Sequence, residues 1–323
     1  MAKNPNKETG HTGPGLDQVE NIDSVSNLHD IIVIGTSAGG VEALQNLVKD
    51  LPPDLGATVF IVIHTSSESP GFLPQILSKA GPLPVSYPTD GLVFEKNHIY
   101  VAPTNHHMVL EENTVRVVRG PKENRHRPAI DPLFHSAARN FGPRVIGVLL
   151  TGMLDDGVFG LMAIKQRGGL AGIQTPADAL YPEMPMNALR KVNNIDFAVP
   201  LSEMSALLYG LVREPADAGM SEMEAARAIT RQLKIEDEFA LSHIPDDEIL
   251  NTIGKPATIA CPECHGTLWE IDNEGVVRYR CRVGHSYTAQ SLLDEHSDAL
   301  EEALWAALRA LEESGSLHRR LAS

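Results

Sequence analysis

The sequence is poor in cysteine and in positive charge, and each shortage excludes a class of protein. Its 323 residues include only three cysteines. All three lie between positions 261 and 281, and an odd number grouped in this way argues against a disulfide framework. Lysine and arginine number 27 against 42 aspartates and glutamates, so the net charge is −15. This acidic balance argues against nucleic acid as a general partner.

Long apolar runs are also missing. No run approaches the roughly 18 residues that span a bilayer, so membrane insertion is not expected. Residues 1–29 are mostly polar and lack the apolar core of a signal peptide, which predicts a disordered tail and a cytoplasmic location. The charge is uneven: residues 211–323 carry −10 and residues 1–210 carry −5. This asymmetry indicates a different kind of segment after about residue 210.

Short β-branched runs alternate with helical stretches in the first two thirds of the chain. Four runs are continuous and rich in β-branched residues, without alternation of polar and apolar positions: DIIVIG (30–35), TVFIVI (58–63), VIGVLL (145–150) and LAGIQ (170–174). Such runs are typical of strands covered on both faces. The alternation predicts an α/β fold with a doubly wound, mostly parallel, Rossmann-like sheet. The segments HIYVA (98–102) and HMVL to VRVV (107–118) predict an antiparallel hairpin appended to that sheet.

The composition divides the chain into further parts. The α/β domain is predicted over residues 30–212. Residues 213–256 are acidic and helix-prone, which predicts a partly helical linker. Residues 257–288 hold the cysteines in a small β-rich module, and residues 289–323 predict an amphipathic helix with leucines along one face.

The turn GTSAGG (35–40) joins the first predicted strand to a helix, and two chemistries use such a turn. A phosphate cradle needs a Lys-Ser or Lys-Thr pair after its glycines, or the spacing G-x-G-x-x-G. Here Gly40 is followed by Val41 and Glu42, and neither requirement is met. The turn does satisfy G-x-S-x-G, in which small residues let the chain pass behind a nucleophile on a strained turn. Ser37 is therefore the candidate nucleophile.

A serine nucleophile needs a base, and the base needs an orienting carboxylate. In a parallel sheet these partners lie at the C-terminal ends of neighbouring strands. His64 ends the run TVFIVIH, and Asp155 and Asp156 follow VIGVLLTGML; spacing does not choose between the two aspartates. The backbone N–H of Ala38 is a candidate oxyanion donor from the geometry of the turn. The other histidines of this region, His126 among them, are expected to have structural or surface roles.

Six segments occur in an order that resembles the protein-glutamate methylesterases of bacterial chemotaxis, the CheB-type catalytic domain: VIGTSAGGVEAL, IHTSSESPGFL, IYVAPTNHHMVL, RPAIDPLFHSAA, VLLTGMLDDGVFG and YPEMPMNAL. The resemblance implies a triad with Ser37 as nucleophile and His64 as general base. The family's aspartate precedes the glycine of TGM-x-x-DG, which selects Asp156 over Asp155. The resemblance also implies the N–H of Met153 as an oxyanion donor, and catalysis without a cofactor.

The implied activity is hydrolysis of glutamate γ-methyl esters on methylated chemoreceptor-like proteins through an acyl-enzyme, with deamidation of receptor glutamine as a companion. Two alternatives stay open. One is an esterase that acts on another ester. The other is a non-catalytic or regulatory adaptor that binds receptors and recruits a partner through the C-terminal module. Only 29 residues precede the first strand, too few for the receiver domain of well-known family members, so phosphorylation control in cis is not expected.

The cysteines and one histidine form the pattern C-x₂-C-x₁₆-C-x₃-H. Two pairs of ligand residues, separated by a stretch long enough for a β-hairpin, are typical of a tetrahedral zinc site. The ligands would be Cys261, Cys264, Cys281 and His285. His265 is an alternative to His285, although its position next to Cys264 makes the geometry poor; reduced thiols without a metal are the other alternative. A closed site of this kind would hold structural zinc and supply folding energy to a module with a small core. We expect the module to mediate regulation or assembly through a partner.

Overall fold

The computed structural model describes residues 28–66, 69–216, 223–241, 247–273 and 275–322. Apart from its last two residues, the predicted N-terminal tail lies outside the described residues. The helices of the described part are α1 (Gly40–Lys49), α2 (Leu73–Ala80), α3 (Ile130–Phe141), α4 (Val158–Gln166), α5 (Glu183–Lys191), α6 (Leu201–Leu211), α7 (Met223–Ala240), α8 (Asp247–Ile253) and α9 (Ala289–Leu321). The strands are β1 (Ile31–Thr36), β2 (Thr58–Ile63), β3 (Val85–Ser86), β4 (Leu92–Val93), β5 (Ile99–Val101), β6 (His107–Leu110), β7 (Thr114–Val118), β8 (Val145–Leu149), β9 (Leu170–Gln174), β10 (Phe197–Val199), β11 (Lys255–Ala260), β12 (Thr267–Asn273), β13 (Val276–Cys281) and β14 (Ser286–Thr288).

A seven-stranded parallel sheet organises the first two thirds of the chain, in the order β10-β9-β8-β1-β2-β5-β3. Alternate residues of β1 enter opposite cores: Val33 belongs to one and Ile34 to the other. Residues of α3, α4 and α5 complete the first core, and residues of α1, α2 and α6 complete the second. The prediction of a doubly wound, mostly parallel α/β fold is confirmed.

The predicted hairpin is present as β6 and β7, which join β4 in a separate three-stranded antiparallel sheet. Met108, Leu110 and Val115 of this sheet reach the first core. The run HIYVA does not extend the hairpin but supplies β5 of the main sheet. All three residues of β5 are buried, which suits a strand covered on both faces.

The C-terminal part of the chain forms a second packed unit. Strands β11 to β14 form a four-stranded antiparallel sheet, with Leu268, Tyr287 and Leu292 in a small core. Helix α7, inside the segment predicted as a linker, packs against α3 and buries Leu233 in the first core. This described helix is therefore packed on the α/β domain.

Helix α9 begins with a capping box formed by Thr288 and Ser291. Further along, Leu304 and Leu311 are 62% and 72% exposed, so the predicted apolar face is uncovered in the single chain. Among the helices described, none combines the length and the apolar character needed to cross a membrane.

Candidate active site

The predicted triad residues follow three adjacent strands. Strands β2, β1 and β8 are neighbours and run parallel, so their carboxyl ends meet at one edge of the sheet. Ser37 directly follows β1, His64 directly follows β2, and Asp156 lies in the loop between β8 and α4. The structure brings the three side chains together.

The turn that carries Ser37 depends on glycine for close packing. A Cβ added to Gly35 would lie 2.4 Å from Cγ2 of Ile130, so no larger residue fits there without movement. Gly39 has a φ of 75°, in the left-handed region that glycine adopts without strain. The N–H of Ser37 donates to the carbonyl oxygen of Thr151 at 3.0 Å. This bond ties the turn to the loop after β8.

The imidazole of His64 lies between the other two side chains. Its Nδ1 is 3.1 Å from Oγ of Ser37, and its Nε2 is 2.7 Å from Oδ2 of Asp156. An ionised carboxylate can only accept a hydrogen bond, so Nε2 carries the proton of the neutral ring. Nδ1 is then the acceptor that faces the serine hydroxyl. The arrangement can take a proton from Ser37 and return it to a leaving group.

Asp156 is buried, and four groups donate to its carboxylate, including the N–H of Asp131, which lies 3.4 Å from Oδ1. Besides His64, the N–H of Ile130 donates to Oδ2 at 2.7 Å and Nδ2 of Asn124 donates to Oδ1 at 2.9 Å. Burial alone would raise the pKa of Asp156, but the hydrogen bonds and the neighbouring His64 outweigh burial and lower it. The ionised carboxylate can therefore orient the imidazole and stabilise its protonated form.

Asp155 points away from the triad. Its Oδ2 pairs with Nζ of Lys191 at 2.5 Å, and its Oδ1 accepts a hydrogen bond from Oγ1 of Thr288 at 2.7 Å. Of the two adjacent aspartates, Asp156 is thus the one in contact with His64. Spacing in the sequence could not make this distinction.

The loop after β8 passes close beside Ser37. A Cβ added to Gly152 would lie 3.0 Å from Cβ of Ser37 and 2.8 Å from Cε of Met184, so the close approach needs glycine. Met153 follows in this loop with a half-exposed side chain, and Ala38 follows Ser37 in the turn before α1. Both predicted oxyanion donors therefore belong to backbone segments that border the serine.

A cleft of about 540 Å³ opens at Ser37, and Lys122, Arg125 and Arg127 line one wall of it. His126, from the same wall, stacks on His64 with ring centroids 3.6 Å apart. Burial lowers the pKa of His126 to about 3, so its ring stays neutral beside the imidazole of the triad. Sequence reasoning gave His126 an ordinary role, since no spacing rule links it to His64.

The four predicted metal ligands come together in the C-terminal module. Their ligand atoms all lie within 4.8 Å of one another. Sγ of Cys264 is 3.6 Å from Sγ of Cys281, and Nδ1 of His285 is 3.7 Å from Sγ of Cys261. A zinc tetrahedron with Zn–S bonds of about 2.3 Å has edges of about 3.8 Å, so the donors fit a single zinc ion. Among the described residues, this ligand cluster does not include His265.

Comparison with known proteins identifies the family. The chain belongs to the CheB methylesterase family, whose sequence profile matches residues 32–208. A putative protein-glutamate methylesterase/protein-glutamine glutaminase of Leptospira interrogans is 34% identical over 184 residues, covering 57% of this chain and 95% of the relative. A protein-glutamate methylesterase/protein-glutamine glutaminase of Salmonella typhi is 35% identical over 182 residues, covering 54% of this chain and 51% of the relative.

A solved structure shows the same fold. The CheB methylesterase catalytic domain of Thermotoga maritima superimposes with a TM-score of 0.55 at 27% identity, over 57% of this chain and 98% of that domain. The family match ends at residue 208, so α7 to α9 and the cysteine cluster lie beyond it.

Proposed function

We propose that the chain is a serine esterase that hydrolyses glutamate γ-methyl esters on chemoreceptor-like proteins, with Ser37, His64 and Asp156 as its triad. The observation that supports this proposal most strongly is the continuous series of hydrogen bonds from Oγ of Ser37 through His64 to the buried Asp156 carboxylate. The relatives are named as protein-glutamate methylesterases and protein-glutamine glutaminases, and these names suggest a glutamate methyl ester and a glutamine amide as substrates. Residues 30–212 form the catalytic domain in this proposal, and the enzyme acts in the cytoplasm.

Each group of the site has a defined role in the proposed reaction. Nδ1 of His64 takes the hydroxyl proton as Oγ of Ser37 attacks the ester carbonyl carbon. The N–H groups of Met153 and Ala38 stabilise the oxyanion, and Asp156 stabilises the imidazolium. The intermediate collapses, His64 returns the proton to the leaving oxygen, and methanol departs. Water then attacks the acyl-enzyme with His64 again as base, which frees the glutamate side chain and Ser37.

The same acyl-enzyme accounts for a glutaminase activity. A glutamine side chain carries NH₂ where the ester carries OCH₃, and protonation by His64 would release ammonia instead of methanol. Release of methanol from a methylated receptor, compared between the natural chain and Ser37→Ala, tests the proposal. Equal release by the two proteins would contradict it.

We further propose that Cys261, Cys264, Cys281 and His285 hold a structural zinc ion. Four protein ligands close the coordination shell, so the ion would stabilise the module and would not contact substrate. The distances between the donor atoms support this assignment. Oε2 of Glu263 lies 3.5 Å from Nε2 of His285, where it can orient the ring.

We expect purified protein to contain about one zinc ion per chain, as a closed Cys₃His site binds a single ion. Cys261→Ser and His285→Ala should lower the zinc content severalfold. His265→Ala is the matched control and should keep it, because His265 is adjacent to the cluster but outside it. Metal analysis after purification without chelators is the measurement. A zinc content near zero in the natural chain would contradict the assignment.

A further inference from the structure

The C-terminal unit docks on the wall of the active-site cleft. We define the cleft wall as residues 120–128, which precede α3, and the C-terminal unit as strands β11 to β14 with helix α9. The N–H of Asn124 donates to the carbonyl oxygen of Ser286 at 2.7 Å. Glu123 and Ser286 also form an isolated parallel β-bridge. The N–H of Ser286 in turn donates to the carbonyl oxygen of Lys122 at 3.4 Å. The cleft wall is therefore held between the triad and the C-terminal unit.

A buried group of charges joins the two parts. Arg280 of β13 is fully buried, and its Nη2 lies 2.8 Å from Oε2 of Glu123 and 2.7 Å from Oε2 of Glu236. The side chains of Glu123 and Glu236 are 3% and 2% exposed. Removal of one charge would leave the others buried without full compensation, so this contact favours one docked arrangement.

Asn124 connects this docked unit to the triad. Its Oδ1 accepts a hydrogen bond from the N–H of Thr288 at 3.0 Å. Its Nδ2 donates to Oδ1 of Asp156 at 2.9 Å and to Oδ2 of Asp131 at 3.1 Å. Because Thr288 occupies the oxygen end of the amide, the nitrogen end is directed at the two carboxylates.

Two further features mark this position as constrained. Asn124 and Arg125 have φ values of 48° and 72°, and consecutive left-handed residues other than glycine persist only where the surroundings enforce them. Arg125 forms ion pairs with Glu295 and Asp298 of α9. The C-terminal unit thus holds the backbone of the cleft wall as well as the amide of Asn124.

We propose that Asn124 is a positioning residue of the triad and that the docked C-terminal unit sets its orientation, so that docking controls the reactivity of Ser37. The inference rests on the proposed function. Asn124 does not contact the substrate in this proposal. It fixes the Asp156 carboxylate that orients His64, and its Nδ2 bridges that carboxylate and the carboxylate of Asp131.

The first test replaces the amide in the full-length chain. Asn124→Gly removes both donors and suits the left-handed backbone. We expect kcat for a peptide carrying a glutamate γ-methyl ester to fall about 10- to 100-fold, with KM within about threefold, because a misplaced base acts on the chemical step. Asn140→Ala is the matched control: Asn140 also donates two hydrogen bonds, to Leu110 and Ser136, but lies away from the triad. It should keep kcat within about threefold.

The second test asks whether docking of the C-terminal unit affects kcat through Asn124, or whether Asn124 acts on the triad independently of docking. Arg280→Met should loosen docking, seen as faster proteolysis between the two units, and should lower kcat by a factor similar to that of Asn124→Gly. The double variant should lose little beyond either single variant, because both changes remove the same constraint. Phe239→Ala, which removes a second docking side chain packed on Arg280 and Gly284, repeats the test without a change of charge.

The outcomes separate the proposals. Full kcat in Asn124→Gly, or losses that multiply in the double variant, would overturn the inference even though Ser37→Ala is inactive. An active Ser37→Ala would instead overturn the proposed function. The inference is supported if kcat falls by a similar factor in the two single variants and in the double variant, while Asn140→Ala keeps its kcat. Docking of the C-terminal unit and the reactivity of Ser37 are then coupled.

Discussion

Ser37→Ala is expected to lower kcat for methyl-ester hydrolysis by about 10⁶-fold, the scale of loss when a triad enzyme loses its nucleophile. Oγ of Ser37 forms the acyl-enzyme in the proposed mechanism, with His64 hydrogen-bonded to it and Asp156 hydrogen-bonded to His64. The side chain is half-buried and packs at the mouth of the cleft, so alanine should leave the fold intact. Methanol release under saturating substrate is the measurement.

An exposed serine provides the control for this change. Ser78→Ala, on α2, removes the same hydroxyl group from a surface position and should leave kcat within about twofold. If Ser37→Ala kept more than about a hundredth of the natural rate, a scale set by the loss of a single oxyanion donor, Ser37 would not be the nucleophile. Circular dichroism of both variants excludes unfolding as the cause of a loss.

Asp156→Asn is expected to lower kcat by about 10⁴-fold, as the corresponding change does in triad hydrolases. The N–H of Ile130 donates to Oδ2 of Asp156 at 2.7 Å, and Nε2 of His64 lies 2.7 Å from the same oxygen. Asparagine has one oxygen where the carboxylate accepts at two, so its NH₂ group faces a donor in either orientation: the Ile130 N–H at Oδ2, or Nδ2 of Asn124 at Oδ1. With the NH₂ group toward His64, the proton of the neutral imidazole moves to Nδ1, and that tautomer cannot accept the proton of Ser37.

Asp155→Asn is the matched comparison, since it changes the adjacent residue in the same way. Asp155 pairs with Lys191 and Thr288 and does not touch His64. We expect a loss of no more than about tenfold, through weaker docking of the C-terminal unit. Equal losses in the two variants would show that the structure assigns the wrong aspartate to the triad.

The sequence was sufficient to predict a mostly parallel sheet, with four of its seven strands, and to propose the triad. Continuous β-branched runs mark strands covered on both faces, and parallel strands place Ser37 and His64 at one edge. The choice between adjacent aspartates needed the family resemblance, because a loop can turn either carboxylate toward the histidine. The ring nitrogen that faces Ser37 also had to come from the structure.

The contacts of the cleft wall could not be predicted. His126 and Asn124 precede α3 in a segment without helical or strand periodicity, and their partners lie far away in the chain. Thr288, which holds Asn124, is 164 positions further along. The run HIYVA was grouped with the hairpin because it is adjacent in sequence, whereas β5 pairs in parallel with β2 and β3. Local patterns carry no information on such long-range pairing.

The most direct test of the account is to trap the acyl-enzyme. The full-length chain is mixed with p-nitrophenyl acetate, quenched in acid and analysed by peptide mass spectrometry. We predict one acetyl group on Ser37, a matching burst of nitrophenol, and much slower labelling in Asp156→Asn. Acetylation of another residue with Ser37 unmodified, or labelling of Asp156→Asn at the natural rate, would contradict the proposed mechanism.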